Sequence, residues 1–260
     1  MANLELIKHL NIKYEKDSPI VKSSLASMNE AFDPDKIEKA IQNSIIEMGP
    51  DYATHFEYGL DAEVALLFID ICNFSTRFPS LKGSKLSAFF DEYYDLVITI
   101  IYKHGGEIDK VIGDGIICVF GPPFIKGSQL EIINKSHECA KEIILATESS
   151  PFSSKVAFHI GKINYFKNKS QYYKELTIVG KPLTELFRLE SVSKNECLNY
   201  YDGTPISDLF RLRLNAGVPT NTGVTNNRKV VPDWNHNKER IQGLAGISYK
   251  YFFYANHIEQ

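Results

Sequence analysis

Two apolar stretches decide how this chain folds: residues 64–70 read Val-Ala-Leu-Leu-Phe-Ile-Asp, and residues 107–120 read Glu-Ile-Asp-Lys-Val-Ile-Gly-Asp-Gly-Ile-Ile-Cys-Val-Phe. The first is a short apolar run ending at Asp70, as expected of a β-strand buried on both faces. The second predicts a β-hairpin that turns at Gly113-Asp114-Gly115, because glycine and aspartate tolerate the positive φ of tight turns. If the strands are neighbours in one sheet, Asp70 and Asp114 project from the same edge.

The sequence around these stretches alternates between helical and strand-like patterns. Apolar residues at three- and four-residue spacing predict helices, and short β-branched runs predict strands. The predicted helices cover residues 86–104, 129–147 and 183–193, and the further strands cover 156–160, 176–179 and 247–254. Residues 215–239 carry Gly, Pro, Asn and Thr without periodicity, so we expect a loop there.

The first 58 residues are predicted to form a helical extension that precedes the main domain. Asp33-Pro34 is a helix start, since proline is tolerated in the first turn. Ile37, Ile41 and Ile45 then recur every four residues until Gly49-Pro50, where we expect this helix to end. A single apolar stripe on a short helix has to pack against the main domain or a partner chain.

Composition excludes several classes of protein. The 260-residue chain is 43% hydrophobic and has a net charge of −3, so it lacks the basic excess of a nucleic-acid binder. It has no apolar run of about 20 residues and no signal-peptide pattern. The cysteines lack metal-ligand spacing, and Cys72, Cys118 and Cys139 lie in or beside apolar runs; with Cys197 they predict buried, reduced thiols in a cytoplasmic protein.

Asp70 and Asp114 suggest chemistry together that neither suggests alone. A carboxylate at a strand end is usually solvated, and Asp-Gly in a turn is explained by turn geometry. Two carboxylates at one sheet edge, however, suit Mg²⁺ or Mn²⁺, which bind through one or two carboxylates plus substrate phosphates. The stretch after Asp70, residues 71–76, leads towards a helix whose free backbone N–H groups could hold a polyphosphate.

Three ordered segments resemble the metal and substrate motifs of the class III nucleotidyl cyclases. The segments are Phe68-Ile69-Asp70-Ile71-Cys72-Asn73-Phe74-Ser75, the run from His104 through Gly113-Asp114-Gly115 to Pro123, and Thr177-Ile178-Val179-Gly180-Lys181-Pro182-Leu183-Thr184 ending in Arg188-Leu189-Glu190. The resemblance covers about residues 62–255. It implies an α+β fold with a ferredoxin-like palm sheet and helices on one face, in a catalytic domain spanning residues 59–260.

The resemblance also implies a two-metal mechanism that makes a 3′,5′-cyclic nucleotide and pyrophosphate. The side chains of Asp70 and Asp114 and the Ile71 carbonyl would hold two Mg²⁺ or Mn²⁺ ions. Arg188 would stabilise charge on the phosphoryl group, since its planar fork suits phosphate oxygens. In this family the site lies between two catalytic domains, so one copy of the motifs implies a homodimer.

Further nucleotide contacts follow from the same resemblance, with some departures from the family pattern. Asn73, Phe74 and Ser75 would line the phosphate loop, although Asn73 stands where a glycine is expected. Thr184 stands where the family has a ribose-orienting asparagine. The expected C-terminal triphosphate lysine is not obvious, because the aligned stretch is Ile241-Gln242-Gly243, with Lys238 and Arg240 nearby.

Base specificity is open between two interpretations. Lys110 and Thr177 fall where the family reads the base and resemble the pattern of adenylate cyclases, which disfavours GTP. The overall organisation instead resembles the stand-alone pyrimidine cyclases of bacterial antiphage systems, which make cyclic UMP or cyclic CMP for a separately encoded effector. The sequence therefore favours UTP or CTP as substrate, with ATP as the alternative.

Three other classes remain as competing hypotheses. A diguanylate cyclase would need a Gly-Gly-Asp/Glu-Glu-Phe turn, which the hairpin lacks. A receiver domain would need an acidic pair after the first strand and a later lysine, and the hairpin at Asp114 does not belong to that fold. A degenerate cyclase acting as a nucleotide sensor is suggested by Thr184 and Gln242, whereas the two metal aspartates argue for catalysis.

Overall fold

The computed structural model describes residues 50–167, 176–215, 224–225, 228–235 and 247–254. The helices are α1 (Pro50–Tyr58), α2 (Phe74–Arg77), α3 (Ser84–Lys103), α4 (Gln129–Thr147), α5 (Lys181–Ser191) and α6 (Pro205–Asn215). The strands are β1 (Asp61–Ile71), β2 (Glu107–Ile112), β3 (Gly115–Phe120), β4 (Ser154–Lys167), β5 (Leu176–Val179), β6 (Cys197–Tyr201), β7 (Val224–Thr225), β8 (Arg228–Asn235) and β9 (Ile247–Tyr254).

The strands form one sheet in the order β2-β3-β1-β4-β6-β9-β8-β7, and β5 pairs with β4. The unit β1-α3-β2-β3-α4-β4 has β1 at its centre, antiparallel to both β3 and β4. This is the ferredoxin-like arrangement, because each long helix carries the chain across the sheet to a strand that is not adjacent to the one before it. The predicted fold class is confirmed.

The central strand β1 is buried on both faces, as its apolar run predicts. Ala65, Leu67 and Ile69 belong to a core that includes the inner sides of α3 and α4. Leu66 and Phe68 point to the opposite face, where they join a second core with side chains of α1 and α5. Because side chains alternate between the two faces of a strand, Asp70 is on the same face of β1 as Leu66 and Phe68. The long helices therefore cover one face, and the aspartate belongs to the other.

Most predicted elements are confirmed, and one prediction is wrong. The loop expected over residues 215–239 contains β8, whose residues 230–235 pair with β9. Pro232 within β8 is typical of irregular segments, and the pairing partner lies a dozen residues further on, so local pattern did not reveal the strand. The strand β6 and the helix α6 were not predicted from the sequence. In addition, β4 is longer than the predicted 156–160.

The end of the predicted N-terminal extension packs on the second core. Pro50 begins α1, as proline is tolerated in a first helical turn, and the helix continues to Tyr58. Tyr52 and Phe56 are buried against Phe124 and Tyr165 in edge-to-face contacts. The helix predicted from Asp33 to Gly49 lies outside the described residues, and the domain boundary at residue 58 stays a prediction.

The cysteines and the helices bear on two further expectations from composition. Cys72, Cys118, Cys139 and Cys197 are all buried and free of disulfides, as predicted. In the part of the chain that the structure describes, no helix is both long enough and apolar enough to cross a bilayer.

Candidate active site

The structure places the two aspartates at one edge of the sheet. Asp70 lies near the end of β1, where Ile69 is paired with Ile116 of the neighbouring strand β3. Asp114 occupies the β2–β3 turn directly beyond that pair. The Tyr94 hydroxyl on α3 donates a 2.5 Å hydrogen bond to the Gly113 carbonyl, which holds the turn against the helix layer.

Both glycines flanking Asp114 are required by the geometry of the turn. Gly113 has a φ of +60°, a conformation that residues with a Cβ rarely adopt. A Cβ on Gly115 would lie 2.5 Å from the ring of Phe68, so this position must lack a side chain for β3 to approach β1. The Gly-Asp-Gly pattern, interpreted from sequence as a turn, therefore also sets the position of Asp114 beside Asp70.

The site concentrates negative charge around Asp70. Burial, together with the nearby carboxylates of Asp114 and Glu190, raises the pKa of Asp70 to about 7, although Lys155 acts in the opposite direction. Such an environment disfavours the ionised carboxylate unless a cation is present. The arrangement is therefore suited to bind a positively charged group.

Lys155 provides one positive charge at the site and was not predicted from the sequence. Lys155 on β4 is the direct pairing partner of Asp70 on β1. The Lys155 ammonium lies 3.3 Å from Asp70 Oδ2 and 2.7 Å from Glu190 Oε1 on α5. In the sequence, this lysine directly precedes the apolar run of β4, which could have drawn attention to it. Only the register between β1 and β4 shows that it faces Asp70.

The donor set fits a divalent cation that keeps several ligands from elsewhere. Asp70 and Asp114 supply carboxylate oxygens, and Ile71 can offer only its main-chain carbonyl oxygen, because its side chain has no donor atom. No cluster of three or more His, Cys, Asp and Glu side chains suited to a metal occurs among the described residues. Mg²⁺ and Mn²⁺ tolerate such a sparse set, because water and substrate phosphates complete their octahedral shell.

The loop after β1 explains the asparagine at a position where glycine was expected. Asn73 has φ 55° and ψ 35°, the left-handed region that asparagine tolerates better than most residues. The following helix α2 has only four residues, and the N–H groups of Thr76 and Arg77 already bond to the Asn73 carbonyl. The expectation of a helix with several free N–H groups is therefore only partly met.

The three predicted loop residues differ in their access to a nucleotide. Asn73 and Ser75 are exposed. Phe74 packs in an aromatic cluster with Phe78, Phe89 and Phe90, so its side chain serves the core. Only the backbone of Phe74 is in a position to contact a phosphate, and its role as a nucleotide-binding residue stays a prediction.

The structure brings the two predicted base-reading residues together. The Lys110 ammonium on β2 donates a 2.5 Å hydrogen bond to the Thr177 hydroxyl on β5, although the residues are 67 positions apart. Both side chains are partly exposed. Together they present a cationic donor and a hydroxyl at one place on the surface, which is suited to recognise a polar ring edge.

Thr184 and Arg188 lie on α5, the helix that also carries Glu190. They are one turn apart on the exposed side of α5, whereas Leu186 and Leu189 on the same helix are buried. Across the described residues, no hydrogen bond or ion pair joins Thr184 or Arg188 to Asp70 or Asp114. The stretch 238–243, where a triphosphate-binding cation was sought, lies outside the described residues.

Comparison with protein families and curated sequences gives only distant, partial matches. No family model matches the chain. It is 24% identical over 140 residues to the uncharacterized protein Rv1319c of Mycobacterium tuberculosis, which covers 53% of this chain and 25% of that protein. A second uncharacterized protein of that organism, Rv1318c, is 22% identical over 149 residues, again 53% of this chain and 25% of the other. The chain thus spans about a quarter of the length of these curated relatives.

Solved structures of nucleotide cyclases are similar to this chain over most of its length. The guanylyl cyclase Cya2 aligns with a TM-score of 0.53 at 19% identity, covering 75% of this chain and 92% of that one. The adenylyl cyclase CyaB from P. aeruginosa aligns with a TM-score of 0.53 at 16% identity, covering 75% and 95%. The guanylate cyclase domain of RhGC from Catenaria anguillulae, solved with GTP, aligns with a TM-score of 0.52 at 16% identity, covering 75% and 98%. The chain therefore has the fold of a nucleotide cyclase catalytic domain.

Proposed function

We propose that this protein is a nucleotide cyclase that converts a nucleoside triphosphate to a 3′,5′-cyclic monophosphate and pyrophosphate. The observation that carries the proposal is the pairing of Asp70 and Asp114 at one edge of a cyclase-type sheet. The raised pKa of Asp70, about 7, supports a cation-binding role, because a bound cation favours the ionised carboxylate.

In this proposal, different residues of the chain bind the metal ions and the triphosphate. Asp70, Asp114 and the Ile71 carbonyl would hold Mg²⁺ or Mn²⁺, which supplies Lewis-acid activation of the ribose 3′-hydroxyl and neutralises the phosphates. The Lys155 ammonium, next to Asp70, is placed to attract the triphosphate. In the reaction the 3′-hydroxyl gives its proton to solvent water and its oxygen bonds to the α-phosphorus, the bond from the α-phosphorus to the oxygen that bridges to the β-phosphorus breaks, and pyrophosphate leaves.

Conversion of a nucleotide panel is the direct test. Purified protein incubated separately with ATP, GTP, CTP and UTP and Mn²⁺ should convert one of them to a cyclic monophosphate, identified by mass spectrometry. Asp70→Asn and Asp114→Asn should each lower the rate more than 100-fold, which is about 2.7 kcal/mol of barrier. Asp91→Asn, on the exposed side of α3, is the matched control and should leave the rate unchanged. Nucleotide binding without any cyclic product would instead support the degenerate sensor.

The working unit in this proposal is a homodimer in which each chain completes the other's site. Among the residues that the structure describes, Thr184 and Arg188 are exposed and form no hydrogen bond or ion pair with Asp70 or Asp114 of their own chain, which supports this. One variant with Asp70→Asn and another with Arg188→Ala should each be inactive alone. Mixed dimers would regain one intact site of two, so about a quarter of wild-type activity should return after co-expression. No recovery would place Arg188 outside the partner's site.

For the base, we propose a pyrimidine, with UTP or CTP as substrate. The ammonium of Lys110 suits an acceptor on the ring edge, such as O4 of uracil or N3 of cytosine. Adenine also offers an acceptor at N1, so the Lys110–Thr177 contact supports ATP as the second candidate. The cyclic product would serve as a second messenger for a separate effector in antiphage defence, as the resemblance to the stand-alone pyrimidine cyclases implies.

A further inference from the structure

A β-bulge interrupts β2 at Asp109. Ile108 pairs with Cys118 of β3, but the next pair joins Lys110 to Ile117, so Asp109 is the extra residue on its strand. In a regular strand, consecutive side chains point to opposite faces. The bulge changes this, and the Asp109 and Lys110 side chains lie together, with 2.9 Å between Asp109 Oδ2 and Lys110 Nζ.

The Asp109 carboxylate also reaches β5. The backbone N–H of Ile178 donates to Asp109 Oδ1 at 3.3 Å, and the Thr177 hydroxyl lies 3.5 Å from the same oxygen. In the described sheet β5 is hydrogen-bonded to β4 and not to β2. Asp109 is only 7% exposed, so the carboxylate forms a buried link between two strands that the sheet itself does not join.

We infer that Asp109 is a positioning residue that sets the base preference of the site; this inference rests on the proposed function. An ammonium has three N–H donors. The Thr177 hydroxyl accepts one Lys110 donor, and the 2.9 Å ion pair with Asp109 holds the ammonium in place, which leaves a donor in a restricted direction for the base. Without the carboxylate, the flexible lysine chain can turn towards other acceptors, such as the triphosphate, and the site loses its means of distinguishing ring edges.

Asp109→Asn is the variant that tests this role, because it keeps an oxygen for the Ile178 N–H and removes the charge that holds Lys110. The ligands are the four 3′-deoxynucleoside triphosphates with Mn²⁺, which lack the attacking hydroxyl and report binding alone. We expect the wild type to bind one base at least tenfold more tightly than the others. In Asp109→Asn that ratio should fall below threefold through weaker binding of the preferred nucleotide, while kcat for the true substrate stays within threefold of wild type.

The matched control is Asp61→Asn, which removes the carboxylate of an exposed ion pair with Lys162. It should leave the base preference unchanged. If Asp109 acts through the lysine, Lys110→Met should lower the preference as much as Asp109→Asn, and the double variant should lower it no further. Fully multiplicative losses in the double variant would overturn the inference.

Failure of the inference and failure of the proposed function give different results. Base-selective binding that Asp109→Asn abolishes, in a protein without cyclase activity, would support the positioning role and reject the enzyme. Cyclase activity with an unchanged preference in Asp109→Asn would reject only the positioning role. If Asp109→Asn does not fold, Asp109→Ser takes its place, since it also removes the charge that holds Lys110 and puts a smaller polar side chain in the buried position. An unchanged base preference in Asp109→Ser would then overturn the inference.

Discussion

Replacement of Lys155 by methionine tests the electrostatics of the site. Lys155→Met removes the positive charge between Asp70 and Glu190 and keeps most of the apolar stem. At an effective dielectric constant of about 20, contacts of 3.3 Å and 2.7 Å correspond to gross attractions of about 5 and 6 kcal/mol. Desolvation of the three groups offsets most of this, so we expect a net loss of about 1–3 kcal/mol in the free energy of unfolding.

The loss should depend on divalent metal ions. Without metal, Lys155→Met leaves Asp70 and Glu190 without their shared counter-charge, and the full loss appears. Mn²⁺ bound by Asp70 and Asp114 restores the balance of charge, and binding at 100 times the dissociation constant stabilises the folded state by about 2.7 kcal/mol. When metal binds to the wild type, part of the Lys155–Asp70 attraction is lost, and Lys155→Met has no such loss. Mn²⁺ should therefore stabilise Lys155→Met at least as much as it stabilises the wild type.

Urea unfolding followed by circular dichroism, with and without Mn²⁺, measures both quantities. Lys141→Met is the matched control, because Lys141 is similarly buried and pairs with Glu138 away from the site. Its response to Mn²⁺ should equal that of the wild type. The reasoning would be refuted if Lys155→Met had wild-type stability without metal, or if Mn²⁺ stabilised Asp70→Asn as much as the wild type.

Three further variants test the fold around the site. Asn73→Gly should keep wild-type stability. Asn73→Val should lower the free energy of unfolding by about 1–2 kcal/mol, because a β-branched residue is strained at φ 55°. Equal thermal stability of the two variants would contradict the left-handed backbone at residue 73. Burial lowers the pKa of His159 below its usual value of 6.5. As the pH falls below 6.5, the unfolded chain therefore binds more protons at this histidine than the folded chain does. The folded state should lose stability over that range. His159→Gln should reduce this loss between pH 7.5 and 5.5 in urea titrations, and an unchanged pH dependence would exclude His159 as its source. Phe56→Ala should destabilise the protein by about 3 kcal/mol through its lost contact with Tyr165, and a smaller change than 1 kcal/mol would show that α1 contributes little to the second core.

Local patterns in the sequence predicted the centre of the fold well. The apolar run before Asp70 and the Gly-Asp-Gly turn each reflect a strong local requirement, burial on both faces in one case and positive φ in the other. The helix 129–147 was predicted with its observed bounds, and its first turn carries a capping box between Ser128 and Glu131. These features are decided by residues that are close in sequence.

Other features depend on which strands become neighbours, and they were missed. The strand β8 is defined by its hydrogen bonds to β9, since its own residues include a proline. Asn73 was interpreted as a departure from the expected loop, yet its backbone occupies the conformation that a glycine would adopt. In both cases the backbone geometry, and not the side-chain pattern, decides the outcome.

The sequence by itself predicted the candidate site's main groups: two aspartates at strand ends, a lysine and a threonine proposed to read the base, and an arginine on a helix. Only the tertiary structure decided which groups meet them. Lys155 faces Asp70 because β4 pairs antiparallel with β1 in one register, and Asp109 reaches Thr177 because a bulge turns it towards β5. A shift of one residue in either register would turn these side chains to the other face, so their roles depend on strand pairing that local sequence does not encode.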